Sequence, residues 1–142
     1  MFKNTSDAES RLRDWRAIRQ SELSLDYILE QFATIPVETR YIDYYTAVEW
    51  PDVFDIVSEG MFCHSGITLI LAATLHHKGF ISGSQMEFLV ISSNIDGTTG
   101  LVLLHNDQVF NFVPGQVVSL EYVTANATIY DRHIVEVSQI FS

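Results

Sequence analysis

Apolar positions along the chain fall into two regimes, helical in the first half and extended in the second. Leu12, Trp15 and Ile18 recur at helical spacing in an arginine-rich stretch, which predicts an amphipathic helix capped by Ser6 or Asp7. A second helix is predicted from Ser24, where Leu25, Ile28, Leu29 and Phe32 form an i, i+3, i+4, i+7 stripe that stops before Pro36. Residues 37–50 have no helical period and read as extended or irregular chain. Pro51 suits the first position of a short helix, PDVFDIVSEG, which Gly60 ends.

The centre of the pattern is Gly60 to Phe80. From Gly66 to Leu75 the chain is apolar on every side except at Thr68 and Thr74, so a helix there must be enclosed by protein or lipid. Ten residues are about half of the roughly 20 needed to cross a bilayer. A buried central helix is therefore expected, with Cys63 at its head and His76, His77, Lys78 and Gly79 at its end.

Beyond Gly79 the pattern becomes that of strands. Met86–Ser93 is a buried-type run, and residues 94–100 carry turn chemistry. Leu101–His105 and Gln108–Val113 flank Asn106-Asp107 as a hairpin. Residues 116–124 fit strand or helix equally. Ala127–Phe141 alternates as a last strand, with Ile129, Asp131, His133, Val135 and Val137 expected on one face. The fold class that follows is α+β: N-terminal helices and a buried central helix on a small antiparallel sheet. Residues 1–142 read as a single domain, helical over 1–35, with the central helix and sheet in 50–142.

Charge sharpens the picture. The chain carries a net charge of −10. Four of its eight basic residues, Arg11, Arg13, Arg16 and Arg19, sit in the first helix, either as a solvated face or as an anion-binding or self-docking one. From residue 22 onward 15 acidic side chains face 3 basic ones, a surface that repels nucleic acid and anionic membranes. The expected partner is a protein with a basic surface. Asp43, Tyr44, Tyr45, Glu49, Trp50, Asp52, Asp55 and Glu59 are the candidate binding residues, because tyrosine and tryptophan give large contact areas with a polar handle. Tyr41 belongs to the same run, for which plain core packing is the competing reading. The chain opens without a secretory pattern and has a single cysteine, which points to a reducing, cytoplasmic compartment. No paired-ligand spacing or phosphate loop is present, so neither metal nor cofactor is expected.

Cys63 is the one chemically suggestive residue, since a helix N-terminus favours thiolate. A small buried core residue is the plainer fate for it. Gly60-Met-Phe-Cys63, the apolar helix, Gly79, the strand after it, the hairpin and Pro114 together resemble the transglutaminase-like branch of the papain-like cysteine hydrolases, over residues 60–114. The resemblance implies a catalytic histidine opening the hairpin's first strand and an aspartate before the proline. Here those places hold Thr98, Thr99 and Gly100, and Val113. His105 stands at the far end of its strand, and His76 and His77 at the far end of the helix, each about 20 Å from the thiol by strand and helix rise. His64 is the neighbour of Cys63, and successive helical residues point apart. His133, with Asp131 as its orienting partner, is the remaining base.

Three functional expectations follow. The favoured one is a non-catalytic acidic binding module on a degenerate hydrolase-like core, with inhibition of a basic or nucleic-acid-binding partner as its expected role, by analogy with the small acidic inhibitor proteins that bacteriophages and bacteria make. The second is a thiol hydrolase or acyl transferase using Cys63, His133 and Asp131. The third is a structural subunit of a homo-oligomer.

Overall fold

The computed structural model describes residues 1–2 and 7–141. Among the described residues, six α-helices, one 3₁₀ turn and a five-stranded antiparallel sheet make an α+β fold. Helix α1 (Ala8–Gln20) is capped by Asp7, whose Oδ1 accepts from Ser10 N at 2.8 Å; the alternative cap, Ser6, lies outside the described residues. Its Trp15 is fully buried and donates from Nε1 to Thr74 Oγ1 at 2.9 Å, tying α1 to the central helix. Helix α2 (Leu25–Ala33) begins at the Ser24 cap and buries Ile28, Leu29 and Phe32.

Three of the four arginines of α1 have distinct surroundings. Arg11 donates to Val57 O and Ser58 O, satisfying carbonyls in the last turn of the helix that ends at Glu59. Arg19 lies 4.1 Å above the Trp15 ring, and burial holds its guanidinium below the ordinary value. Arg13 pairs with Glu9 in solvent.

Helix α3 (Val53–Glu59) starts two residues later than the proline signal suggests. Asp52 is the cap, accepting from Phe54 N at 2.9 Å, and Pro51 precedes the helix. Gly60 ends it at φ 74°, where a Cβ would sit 2.6 Å from the Arg11 guanidinium. Helix α4 (His64–His77) is the enclosed one: every residue from Ser65 to Leu75 is buried.

The sheet runs β4-β3-β2-β1-β5. Strand β1 (Gln85–Ser93) is central, between β2 (Thr99–His105) and β5 (Ala127–Glu136). β2 returns through Asn106 and Asp107, both left-handed (φ 50° and 61°), into β3 (Gln108–Phe110). β3 is shorter than the apolar run to Val113 suggests, because Asn111 turns left-handed at φ 69°. The ambiguous stretch holds both elements: β4 (Val117–Ser119), then α5 (Leu120–Asn126) capped by Ser119. The last strand stops at Glu136, and α6 (Val137–Ile140) follows.

One face of the sheet packs on α4 through Phe88, Val90, Leu101 and Leu103. The other forms a smaller core of Leu89, Ile91, Val102 and Val109 with Val123 of α5. A bulge corrects the expected facing of β5. Val90 pairs with Asp131 but Ile91 with Ile129, so Tyr130 is the extra residue and Ile129 lies on the face opposite Asp131, His133 and Val135.

Candidate functional site

Two regions carry the residues singled out in the sequence. The first surrounds the head of α4. Cys63 is the helix cap: at φ −88° and ψ 168° it stands outside the helix, and its Sγ accepts from Gly66 N at 3.3 Å. The residue is buried, and among the described residues no imidazole hydrogen-bonds to the sulfur. A Cβ at Gly66 would be in ordinary contact with Sγ at 3.5 Å, so this capping contact does not depend on glycine there.

The start of β2 closes against this helix head. Leu101 N donates to Ser65 Oγ at 3.1 Å, and Thr68 Oγ1 donates to Leu101 O at 2.8 Å. Asn111 Nδ2 in turn donates to Thr68 Oγ1 at 2.8 Å. The approach is so close that only glycine fits at position 100. A Cβ there would lie 2.7 Å from Ser65 Oγ and 3.2 Å from His64 Cδ2. The opening of this strand, which in the resembled family carries the histidine, thus presents backbone to the helix.

His64 is the nearest imidazole in sequence and it is mostly enclosed. Its Nε2 is buried and, among the described residues, has no hydrogen-bond partner. Burial holds its pKa below the ordinary value, while the charge of Asp96 and the Leu101 backbone pull the other way. Asp96 is itself held below the carboxylate range, first by the Thr98 N–H donating to Oδ1 at 2.9 Å.

Asp131 and His133 do come together on β5, with Asp131 Oδ2 3.5 Å from His133 Nε2. The His133 ring meets the edge of Trp50 at 5.2 Å between centroids, and Trp50 also packs on Phe88. His133 therefore sits beneath an indole, and neither it nor Asp131 hydrogen-bonds to Cys63.

The second region is the irregular segment 37–50 with α3. Asp43 organises it: Oδ1 accepts from Tyr45 N at 3.0 Å, Oδ2 from Thr46 Oγ1 at 2.8 Å, and its carbonyl from Trp50 Nε1 at 2.9 Å. A one-turn 3₁₀ helix (Ala47–Glu49) follows, held from outside by Gln139 Nε2 on Ala47 O. Of the candidate binding residues, Tyr45, Glu49, Asp55 and Glu59 are exposed, while Asp43, Tyr44 and Asp52 are half-buried. Trp50 is buried, so it supports the surface from below and does not present its ring. Among the large hydrophobic side chains of the described residues, Tyr41 and Val48 are the most exposed, at 81% and 82%, and Val37 is also exposed. Val48 and Val37 carry no motif in sequence; their places, in the 3₁₀ turn and in the irregular chain before it, expose them.

Arg40 lies along this surface, mostly covered, and pairs with Glu59 at 2.8 Å. Arg40, Tyr41, Asp43 and Glu49 line a depression of about 290 Å³. Asp52, Asp55 and Glu59 share α3, but one caps the helix and one is paired. Among the described residues no group of three His, Cys, Asp or Glu side chains could hold a metal ion. No helix is long and apolar enough to cross a membrane.

A scan against known protein-family models found no match, and neither did a search of curated proteins.

Proposed function

We propose that this chain is a non-catalytic, acidic protein-binding module that engages a basic partner in the cytoplasm through the surface of residues 37–59. The observation that carries the reading is the exposure of Tyr41 and Val48 in a segment that also exposes Glu38, Glu49, Asp55 and Glu59. Exposed aromatic and aliphatic anchors rimmed by charge are the anatomy of a recognition surface. The excess of carboxylates selects a cationic counterpart and steers its approach. The capped, enclosed thiol fits a module in which the hydrolase-like arrangement of α4, β1 and the hairpin is a scaffold.

Capture experiments test the reading. Immobilised protein retains a basic partner at low salt and releases it as ionic strength rises from about 0.05 to 0.5 M, because screening weakens exposed charge pairs. A Tyr41→Ala/Val48→Ala variant that captures the same partner equally well contradicts it.

The adjacency of Asp131 and His133 favours a second reading, acyl transfer or hydrolysis by Cys63. That chemistry needs the imidazole within hydrogen-bond reach of the sulfur. Its signature is a Cys63 that outreacts free cysteine at pH 6–7.

A further inference from the structure

Two arginines of α1 lack the counterions that the rest of the chain holds in excess. In a chain of net charge −10 carboxylates are plentiful, and three arginines take them: Arg13 pairs with Glu9, Arg40 with Glu59 and Arg132 with Glu87. Arg11 is satisfied by the Val57 and Ser58 carbonyls. Among the described residues Arg16 and Arg19 have neither kind of partner. They stand three residues apart on one helix, which makes them neighbours on its surface, and each charge raises the cost of the other.

Arg19 is held in place by rings. Its guanidinium carbon lies 4.1 Å from the centre of the Trp15 ring, 5.5 Å from that of Phe54 and 5.8 Å from that of Phe141. Trp15 is fixed in turn by its hydrogen bond to Thr74 and by Phe54 and Phe141, whose centroids lie 5.1 and 5.7 Å from its own. Stacking orders a planar guanidinium without using its N–H donors. Nε is enclosed, and none of the three nitrogens donates to a described residue. An ordered fork with unused donors, beside a second guanidinium, matches the two-oxygen face of a carboxylate or phosphate. From this arrangement we infer that Arg16 and Arg19 together bind an oxyanion, a phosphate or carboxylate group, at the rim of the Trp15, Phe54 and Phe141 cluster. A bound anion offsets both the burial of the Arg19 charge and its repulsion by Arg16. Covering the rings accounts for Arg19 alone and leaves the unpaired Arg16 beside it without a role.

The site is independent of what the surface of residues 37–59 binds, so its test needs no protein partner. Inorganic phosphate, titrated at pH 7 with chloride holding the ionic strength constant, should move the Arg19 Nε–H resonance along a saturating curve. The expected midpoint is about 0.1–10 mM, the range of two or three charge-assisted contacts. Acetate in a parallel titration separates the sources, since the anion that saturates at the lower concentration names the class of ligand. Arg16→Gln, at an exposed position, should leave the circular dichroism spectrum unchanged and raise the midpoint at least about fivefold. Arg19→Lys keeps the charge but not the fork, and should weaken binding by a similar factor. Shifts that stay linear with both anions up to about 50 mM, or an Arg16→Gln protein that saturates at the parent's midpoint, would overturn the inference.

Discussion

Cys63 Sγ and Gly66 N are 3.3 Å apart, and that contact assigns the thiol its place as the cap of the enclosed helix. A serine hydroxyl makes the same contact, and serine is among the best capping residues. Cys63→Ser should fold with stability within about 1 kcal/mol of the parent and bind its partner unchanged, whereas Cys63→Ala loses the cap and about 0.5–2 kcal/mol. Urea denaturation of the two variants separates them.

Gly100 and Gly66 make a contrasting pair. A methyl group at 100 drives into Ser65 Oγ at 2.7 Å and forces β2 away from α4. Gly100→Ala should cost at least about 2 kcal/mol, as overpacked sites do. Gly66→Ala meets nothing closer than 3.5 Å and lies inside a helix, so it should gain up to about 1 kcal/mol. The two midpoints in one denaturant titration check both.

Thr68 is the junction of the buried polar web, donating to Leu101 O and accepting from Asn111. Thr68→Val strands both partners and should destabilise by about 2–4 kcal/mol, from two buried groups at about 1–3 kcal/mol each less partial relaxation. Thr68→Ser keeps the hydroxyl and should recover most of that loss.

His64 sets a pH dependence. Its folded pKa lies below the ordinary 6.5, so between the two values the unfolded chain binds the additional proton. Its stabilising contribution is complete above pH 6.5 and falls as pH is lowered through that value, by at most about 1.4 kcal/mol per pH unit. His64→Leu should flatten this slope below pH 6.5. Asp96 acts in a lower window: its depressed pKa adds stability above 3.8 that is lost as pH falls further.

At the proposed binding surface, Tyr41→Ala and Val48→Ala remove side chains that pack on little of their own chain. Each should leave stability within about 0.5 kcal/mol, as surface substitutions do. Together they should weaken partner binding at least tenfold, or about 1.4 kcal/mol, by titration calorimetry.

The helices and strands of the core were legible because their signals are local. The stripe of α2, the all-round apolar α4 and the Ser24 cap each follow from periodicity or capping chemistry, and the structure has them. The bulge at Tyr130 was not, because nothing in β5 breaks the alternation. It exists only in the register with β1, and one added residue moved Ile129 to the other face. The ambiguity of 116–124 was real: the stretch is three residues of strand and then a helix. The polar web at the head of α4 joins residues from 65 to 111, a relationship no spacing rule reaches. Gly100 alone left a trace, a glycine at the opening of an apolar run. Trp50 shows the converse limit, since aromatic content cannot say which ring of a run turns inward.

The most direct test of a structural thiol is the rate at which a maleimide probe labels Cys63 in the native protein at pH 6–7. A capped, enclosed sulfur should react at least a hundredfold more slowly than free cysteine, on the order of the closure that burial imposes, and reach full labelling only in denaturant. Labelling faster than free cysteine under those conditions, abolished by His133→Ala, would mean an activated nucleophile and would contradict the non-catalytic account.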